Sequence, residues 1–169
     1  MRKALQNQLN GETKEKYRII AVDDEEGIIE SLSVFLNRTG YEFVGVIDPK
    51  EAIEVVKREH FDLMLLDFMM TPLHGDEVVE EIRKFNKELY ILLLTGHKDL
   101  APPLDTIRRL DIQGYCEKSD KFDQLLLLIE SGIKAISQMN MIKEMNIELK
   151  DTYEKLERAY MESIQTLRY

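Results

Sequence analysis

The sequence predicts an α/β fold: a doubly wound, five-stranded parallel sheet of (βα)5 order whose last helix runs on into a long coiled coil. Three observations predict it. Short apolar runs (YRIIAV, YEFVGVI, DLMLLDF, LYILLLT and GYC) recur along residues 17–138, and such unbroken runs belong to strands buried on both faces. Helix-period segments separate them, and strands alternating with helices imply parallel pairing. Beyond Asp120 the helical pattern continues to Tyr169 with no proline and only Gly132 as a glycine.

The elements follow in order. Residues 1–16 are polar, lack a steady period and read as an extension. The first strand, YRIIAV, runs into four consecutive acids, Asp23 to Glu26, a placement that repays little unless a cation sits among them. After the second strand, DPKE offers Asp48 as an N-cap, Pro49 at the first helical position and Glu51 at N3, with Ala52, Ile53 and Val56 on one face. Val78, Val79, Ile82 and Phe85 form a similar stripe after Gly75. The fourth helix is the weakest, because Pro102 and Pro103 leave only Leu104, Ile107 and Leu110 to define its face. The fifth helix predicts a rod of about 70 Å. Along its far half Ile142, Asn146, Leu149, Tyr153, Leu156, Tyr160 and Leu167 alternate in steps of three and four, a heptad seam that wants a partner helix. The domain plan is thus an extension (1–16), an α/β domain (17–138) and a coiled-coil linker (139–169).

Composition narrows the function. The 169 residues are 44% hydrophobic with a net charge of −9, which disfavours nucleic-acid binding by this segment. A single cysteine, Cys116, excludes an internal disulfide framework and suits a reducing cytosol. The N-terminus lacks the apolar core of a signal peptide, and no uninterrupted apolar run reaches about 18 residues. The expectation is a cytoplasmic protein without membrane contact.

Ligands of open parallel sheets bind beyond the carboxyl ends of the strands. There stand Asp23 and Asp24 after the first strand, Asp67 at the end of the third, Thr95 at the end of the fourth and Lys118 at the end of the fifth. Oxygen donors without His or Cys select a hard cation, and Mg²⁺ fits best. Taken singly, Asp67 reads equally as a turn residue, Thr95 as a helix cap and Lys118 as a surface charge. Together, in this order, they do not.

These residues give residues 17–138 a resemblance to the receiver domain of two-component response regulators, which implies a flavodoxin-like fold. The resemblance implies that Asp67 is the phosphoacceptor for a sensor histidine kinase. It further implies that Asp23, Asp24, Asp67 and the backbone carbonyl of Met69 serve Mg²⁺, Asp23 mainly through bound water. Thr95 and Lys118 then hold phosphoryl oxygens, and Tyr115 turns inward with Thr95 as the switch. Gly96 leaves room for the phosphoryl group, and His97 stands where the family varies the lifetime of its phosphoaspartate. Two departures matter. Ser119 replaces the proline that usually follows the lysine, where a cis bond would cost about 3 kcal/mol. In the loop after Asp67, Thr71 stands where proline is usual and Pro72 follows, although Gly75 keeps its register.

The resemblance implies a signalling domain that catalyses only its own phosphorylation and dephosphorylation, a homodimer through the C-terminal helix, and an output domain outside these residues. The closing EKLERAYMESIQTLRY resembles the helix leading into HD-GYP cyclic-di-GMP phosphodiesterases. Two other functions stand beside it. A Mg²⁺-dependent phosphohydrolase working through an aspartyl phosphate wants an acid two residues after its nucleophile, where this chain has Met69. A dimerisation adaptor that ignores phosphate would leave the acid site vestigial.

Overall fold

The computed structural model describes residues 16–96, 103–118 and 122–168. Residues 1–15, His97, Pro102 and Ser119, with the expectations attached to them, lie outside these. The five strands are β1 (Arg18–Val22), β2 (Glu42–Val46), β3 (Leu63–Asp67), β4 (Tyr90–Thr95) and β5 (Gly114–Glu117). The helices are α1 (Glu26–Arg38), α2 (Pro49–Arg58), α3 (Gly75–Arg83), α4 (Leu104–Arg109) and α5 (Asp123–Leu167).

All pairings are parallel and the strand order is β2-β1-β3-β4-β5. Ile19 lies opposite Phe43 on one side and Leu63 on the other, and Leu65 opposite Leu92. The three central strands carry the unbroken apolar runs because helices cover both their faces. Every residue of β3 is buried, whereas each of the edge strands β2 and β5 exposes two residues. The order reverses between β1 and β3, so their carboxyl ends diverge and open a crevice.

Local chemistry explains the helices. The Asp48 carboxylate accepts from the Lys50 N–H at 2.9 Å and Pro49 opens α2, as the sequence predicts. Gly40, at φ 88°, closes α1 in a backbone region that side chains disfavour. At the start of α3 the His74 N–H donates to Glu77 Oε2 at 2.8 Å, so this histidine serves as a cap. Val78, Val79 and Ile82 are fully buried, but Phe85 corrects the predicted stripe. The helix ends at Arg83, and Phe85 is 41% exposed with Lys57 Nζ above its ring at 5.5 Å. Arg83 ends α3 productively: its guanidinium donates to the carbonyls of Leu110 (2.9 Å), Asp111 (2.7 Å) and Asn86 (3.2 Å). This ties α3 to the turn before β5.

Helix α4 is short, as its prolines predict. Its six residues bury none, and Leu110 just beyond it reaches the core. Helix α5 runs unbroken for 45 residues. Its first turns bury Leu125, Ile129 and Gly132, and a Cβ on Gly132 would stand 2.7 Å from the Tyr90 ring and 3.1 Å from Leu63. By length and composition alone this helix could cross a membrane, with a mean hydropathy of 1.2 over its most apolar window. Packing of Leu125, Ile129 and Gly132 accounts for the apolar side of its beginning. The chain divides into two compact units, Met1–Ile133 and Lys134–Tyr169. In the second unit the apolar side chains of the predicted seam, from Ile142 to Leu167, are exposed.

Candidate acidic site at the carboxyl ends of the strands

The crevice between β1 and β3 collects side chains that are far apart in sequence. Asp23 leaves β1 and is fixed at once: its Oδ1 accepts the Glu25 N–H at 2.9 Å, while its own N–H donates to the Val46 carbonyl at 3.2 Å. Asp24 is exposed, and its Oδ2 accepts the Thr71 N–H at 3.3 Å, joining it to the loop after β3. Asp67 closes β3 with only 2% exposure. One carboxylate oxygen from each of Asp23, Asp24 and Asp67 falls within 4.8 Å of the other two.

Strand pairing delivers the remaining groups. The Phe68 N–H donates to the Leu94 carbonyl at 2.9 Å, and the Lys118 N–H to the Thr95 carbonyl at 2.7 Å. The ends of β3, β4 and β5 are thereby stitched in sequence. Thr95 is 1% exposed. The Lys118 ammonium reaches between the acids, 2.7 Å from Asp23 Oδ2 and 3.2 Å from Asp67 Oδ2. Asp23 Oδ2 is buried, and this ammonium is the group it meets.

The electrostatics are unbalanced. Burial and the Asp23 charge push Asp67 up to about 6, although Lys118 and the Met69 backbone amide pull the other way. Lys118 is itself raised: burial works against its charge, but both aspartates outweigh it. Three carboxylates against one ammonium, among the described residues, leave excess negative charge in a largely dry crevice. A hard divalent cation suits this all-oxygen donor set, so the residues fit Mg²⁺.

Met69 stands two residues past Asp67 with an exposed, apolar side chain, which has no proton to give. Tyr115 is 52% exposed on β5, so its ring faces solvent here. Gly96 has open space where a Cβ would stand. The loop after Asp67 carries a cis bond between Thr71 and Pro72. Sequence reasoning missed one contact, at Gly75. A Cβ there would lie 2.7 Å from the Asp67 carbonyl oxygen and 2.9 Å from Phe68 Cα. Its place in register after Asp67 was the visible sign, but spacing says nothing of distance.

Residues 19–130 match the family model described as the response regulator receiver domain. Among curated proteins, a probable transcriptional regulator, ycf27, of Porphyridium aerugineum is 37% identical over 73% of this chain and 51% of its own length. The chain spans about half the length of the curated relatives it matches. Among solved structures, response regulator protein TrrA from Thermotoga maritima, in complex with Mg²⁺-BeF, is 34% identical. It covers 69% of this chain and 98% of its own at a TM-score of 0.63. TrrA in complex with the histidine kinase ThkA aligns at 33% identity and a TM-score of 0.62, covering 69% and 97%.

Proposed function

Because this chain belongs to the response regulator receiver domain family, we propose that it is the phosphoryl-accepting module of a cytoplasmic two-component regulator, with Asp67 as the acceptor. The observation that carries this reading is the meeting of Asp23, Asp24 and Asp67 within 4.8 Å, with Lys118 bound to two of them.

In the proposed reaction an Asp67 oxygen attacks the phosphorus of a phosphohistidine on a sensor kinase. The phosphorus–oxygen bond forms as the phosphorus–nitrogen bond breaks, and the imidazole leaves with its electron pair. No general base is needed, because Asp67 is mostly ionised at pH 7 even when pushed up to about 6. Asp23, Asp24, Asp67 and the Met69 carbonyl would hold Mg²⁺, which when bound supplies positive charge beside the phosphoryl oxygens. Lys118 neutralises charge on the other side and exchanges its Asp67 contact for a phosphoryl oxygen. The Thr95 hydroxyl, at the end of the adjacent strand, donates to another. Tyr115 then moves inward from its exposed position, changing the surface around β5. TrrA's complexes with Mg²⁺-BeF and with ThkA support the same cofactor and class of partner for this chain.

The domain plan we propose is a receiver over residues 17–138 and a linker over 139–169 that pairs two chains. Its seam carries Asn146 at an a position, where asparagine bonds its counterpart in a parallel pair. The closing helix sequence supports an HD-GYP phosphodiesterase as the output segment.

Incubation with Mg²⁺ and acetyl phosphate, followed by intact-mass measurement, tests the central claim. One added phosphoryl group that requires Mg²⁺ and is absent from Asp67→Ala is expected. An unchanged wild-type mass, or equal labelling of the variant, would overturn it.

A further inference from the structure

Asp67 is held from behind as well as from the front, and the contact behind it involves Gly75. This residue opens α3 and is buried. Its N–H donates to the Phe68 carbonyl at 2.8 Å, folding the intervening loop back on the strand end. Its Cα faces the peptide joining Asp67 to Phe68 so closely that a Cβ would stand 2.7 Å from Asp67 O, 2.9 Å from Phe68 Cα and 3.4 Å from Asp67 C. These are backbone atoms at the end of a central strand and the start of its loop, which cannot swing aside like the end of a flexible side chain. Gly132 is the useful contrast, since the atoms around it belong to the Tyr90 and Leu63 side chains.

We infer that Gly75 is a positioning residue for the proposed phosphoryl acceptor: its missing side chain lets α3 seat against the Asp67 peptide and so sets where the Asp67 carboxylate stands. The inference rests on the receiver reading for its readout but not for its geometry. Helix propensity alone makes the opposite prediction, because alanine in place of an exposed helical glycine stabilises by about 1 kcal/mol. Here any side chain must displace either α3 or the Asp67 backbone. A shift of the carboxylate by a fraction of an ångström disturbs both its fit to a cation, which demands near-ideal geometry, and its line of attack.

The test compares wild type, Gly75→Ala and Gly132→Ala for thermal stability, Mg²⁺ affinity by calorimetry and labelling rate with acetyl phosphate. Gly75→Ala is expected to weaken Mg²⁺ binding and slow labelling by about 10- to 100-fold. Gly132→Ala should lose stability yet keep wild-type affinity and rate. Wild-type affinity and rate in Gly75→Ala, or equal losses in both variants, would overturn the inference. If Gly75→Ala does not fold, the wild-type protein decides. During Mg²⁺ titration followed by nuclear magnetic resonance, the Gly75 amide should shift with the dissociation constant of the site while Gly40 and Gly132 stay still. An unmoved Gly75 amide would overturn it. A wild type that neither binds Mg²⁺ nor takes label would instead sink the receiver reading.

Discussion

The ammonium of Lys118 lies 3.2 Å from Asp67 Oδ2, and its 2.7 Å contact with Asp23 makes it a bridge between β1, β3 and the end of β5. Its removal should act differently on metal and on phosphate. Lys118→Ala leaves two buried carboxylates without their cation, so the metal-free domain should lose about 3 kcal/mol, at the low end for a broken buried pair because the lysine is 16% exposed. Mg²⁺ binding should survive or strengthen, since the site becomes more negative. Phosphoryl-dependent change at Tyr115, followed by its resonances, should vanish. Mg²⁺ affinity lost as severely as in Asp24→Ala would contradict this assignment.

Asp24 carries the complementary prediction. It is exposed, and its hydrogen bond to the fold among the described contacts is the 3.3 Å one from Thr71 N–H, so Asp24→Ala should change stability by less than about 1 kcal/mol. Mg²⁺ affinity should fall by about 10-fold or more, as loss of a metal partner does. Calorimetry beside thermal melts separates the two. A variant that melts early but binds Mg²⁺ normally would remove Asp24 from the proposed ligand set.

The raised Asp67 predicts a pH dependence with a definite sign. Its carboxyl titrates near 6 in the folded domain against 3.8 for an ordinary aspartate, so the folded state holds the proton more tightly than the unfolded chain. The stability due to this difference is complete below about pH 4 and is lost as pH rises through about 6. Asp67→Asn, which cannot ionise, should therefore gain stability relative to wild type across that window without metal. Saturating Mg²⁺ should restore the wild type, by about 2.7 kcal/mol at a hundredfold excess over its dissociation constant. Urea denaturation at pH 4.5 and pH 7 measures it. A flat or inverted difference between the proteins would show that Lys118 governs Asp67 more strongly than burial and Asp23 do.

The exposed seam of the second unit predicts self-association. The described chain, including residues 139–168, should sediment as a dimer at tens of micromolar, and a version ending at Gln138 as a monomer. Asn146→Leu should raise the dimer's stability while loosening its register or number of strands. Both lengths sedimenting as monomers, before and after acetyl phosphate, would overturn the coiled-coil reading.

Apolar runs such as LMLLDF and YILLLT determine by themselves which segments become strands, because a strand covered on both faces needs no polar alternation. Proline and aspartate in DPKE determine where α2 begins, and the paired prolines determine that α4 is short. Such signals are local: they act through a residue's own dihedrals or its neighbours within one turn. The acids and the lysine at strand ends were legible for another reason, since a parallel sheet puts all carboxyl ends on one side. What only the tertiary structure decided involves atoms brought together by strands distant in sequence. Phe85 fits the apolar period of α3, yet Arg83, anchored on Leu110 and Asp111, ends the regular packing there and leaves the ring to Lys57. Gly75 is only a residue in register after Asp67 until the Asp67 carbonyl is seen against it. Lys118 reads as one charge until its ammonium is found shared between two aspartates, and the upward shift of Asp67 is the sum of burial and neighbours contributed by three strand ends. Sequence periodicity records which side of an element faces inward; distance and dielectric surroundings come into being only when the elements pack.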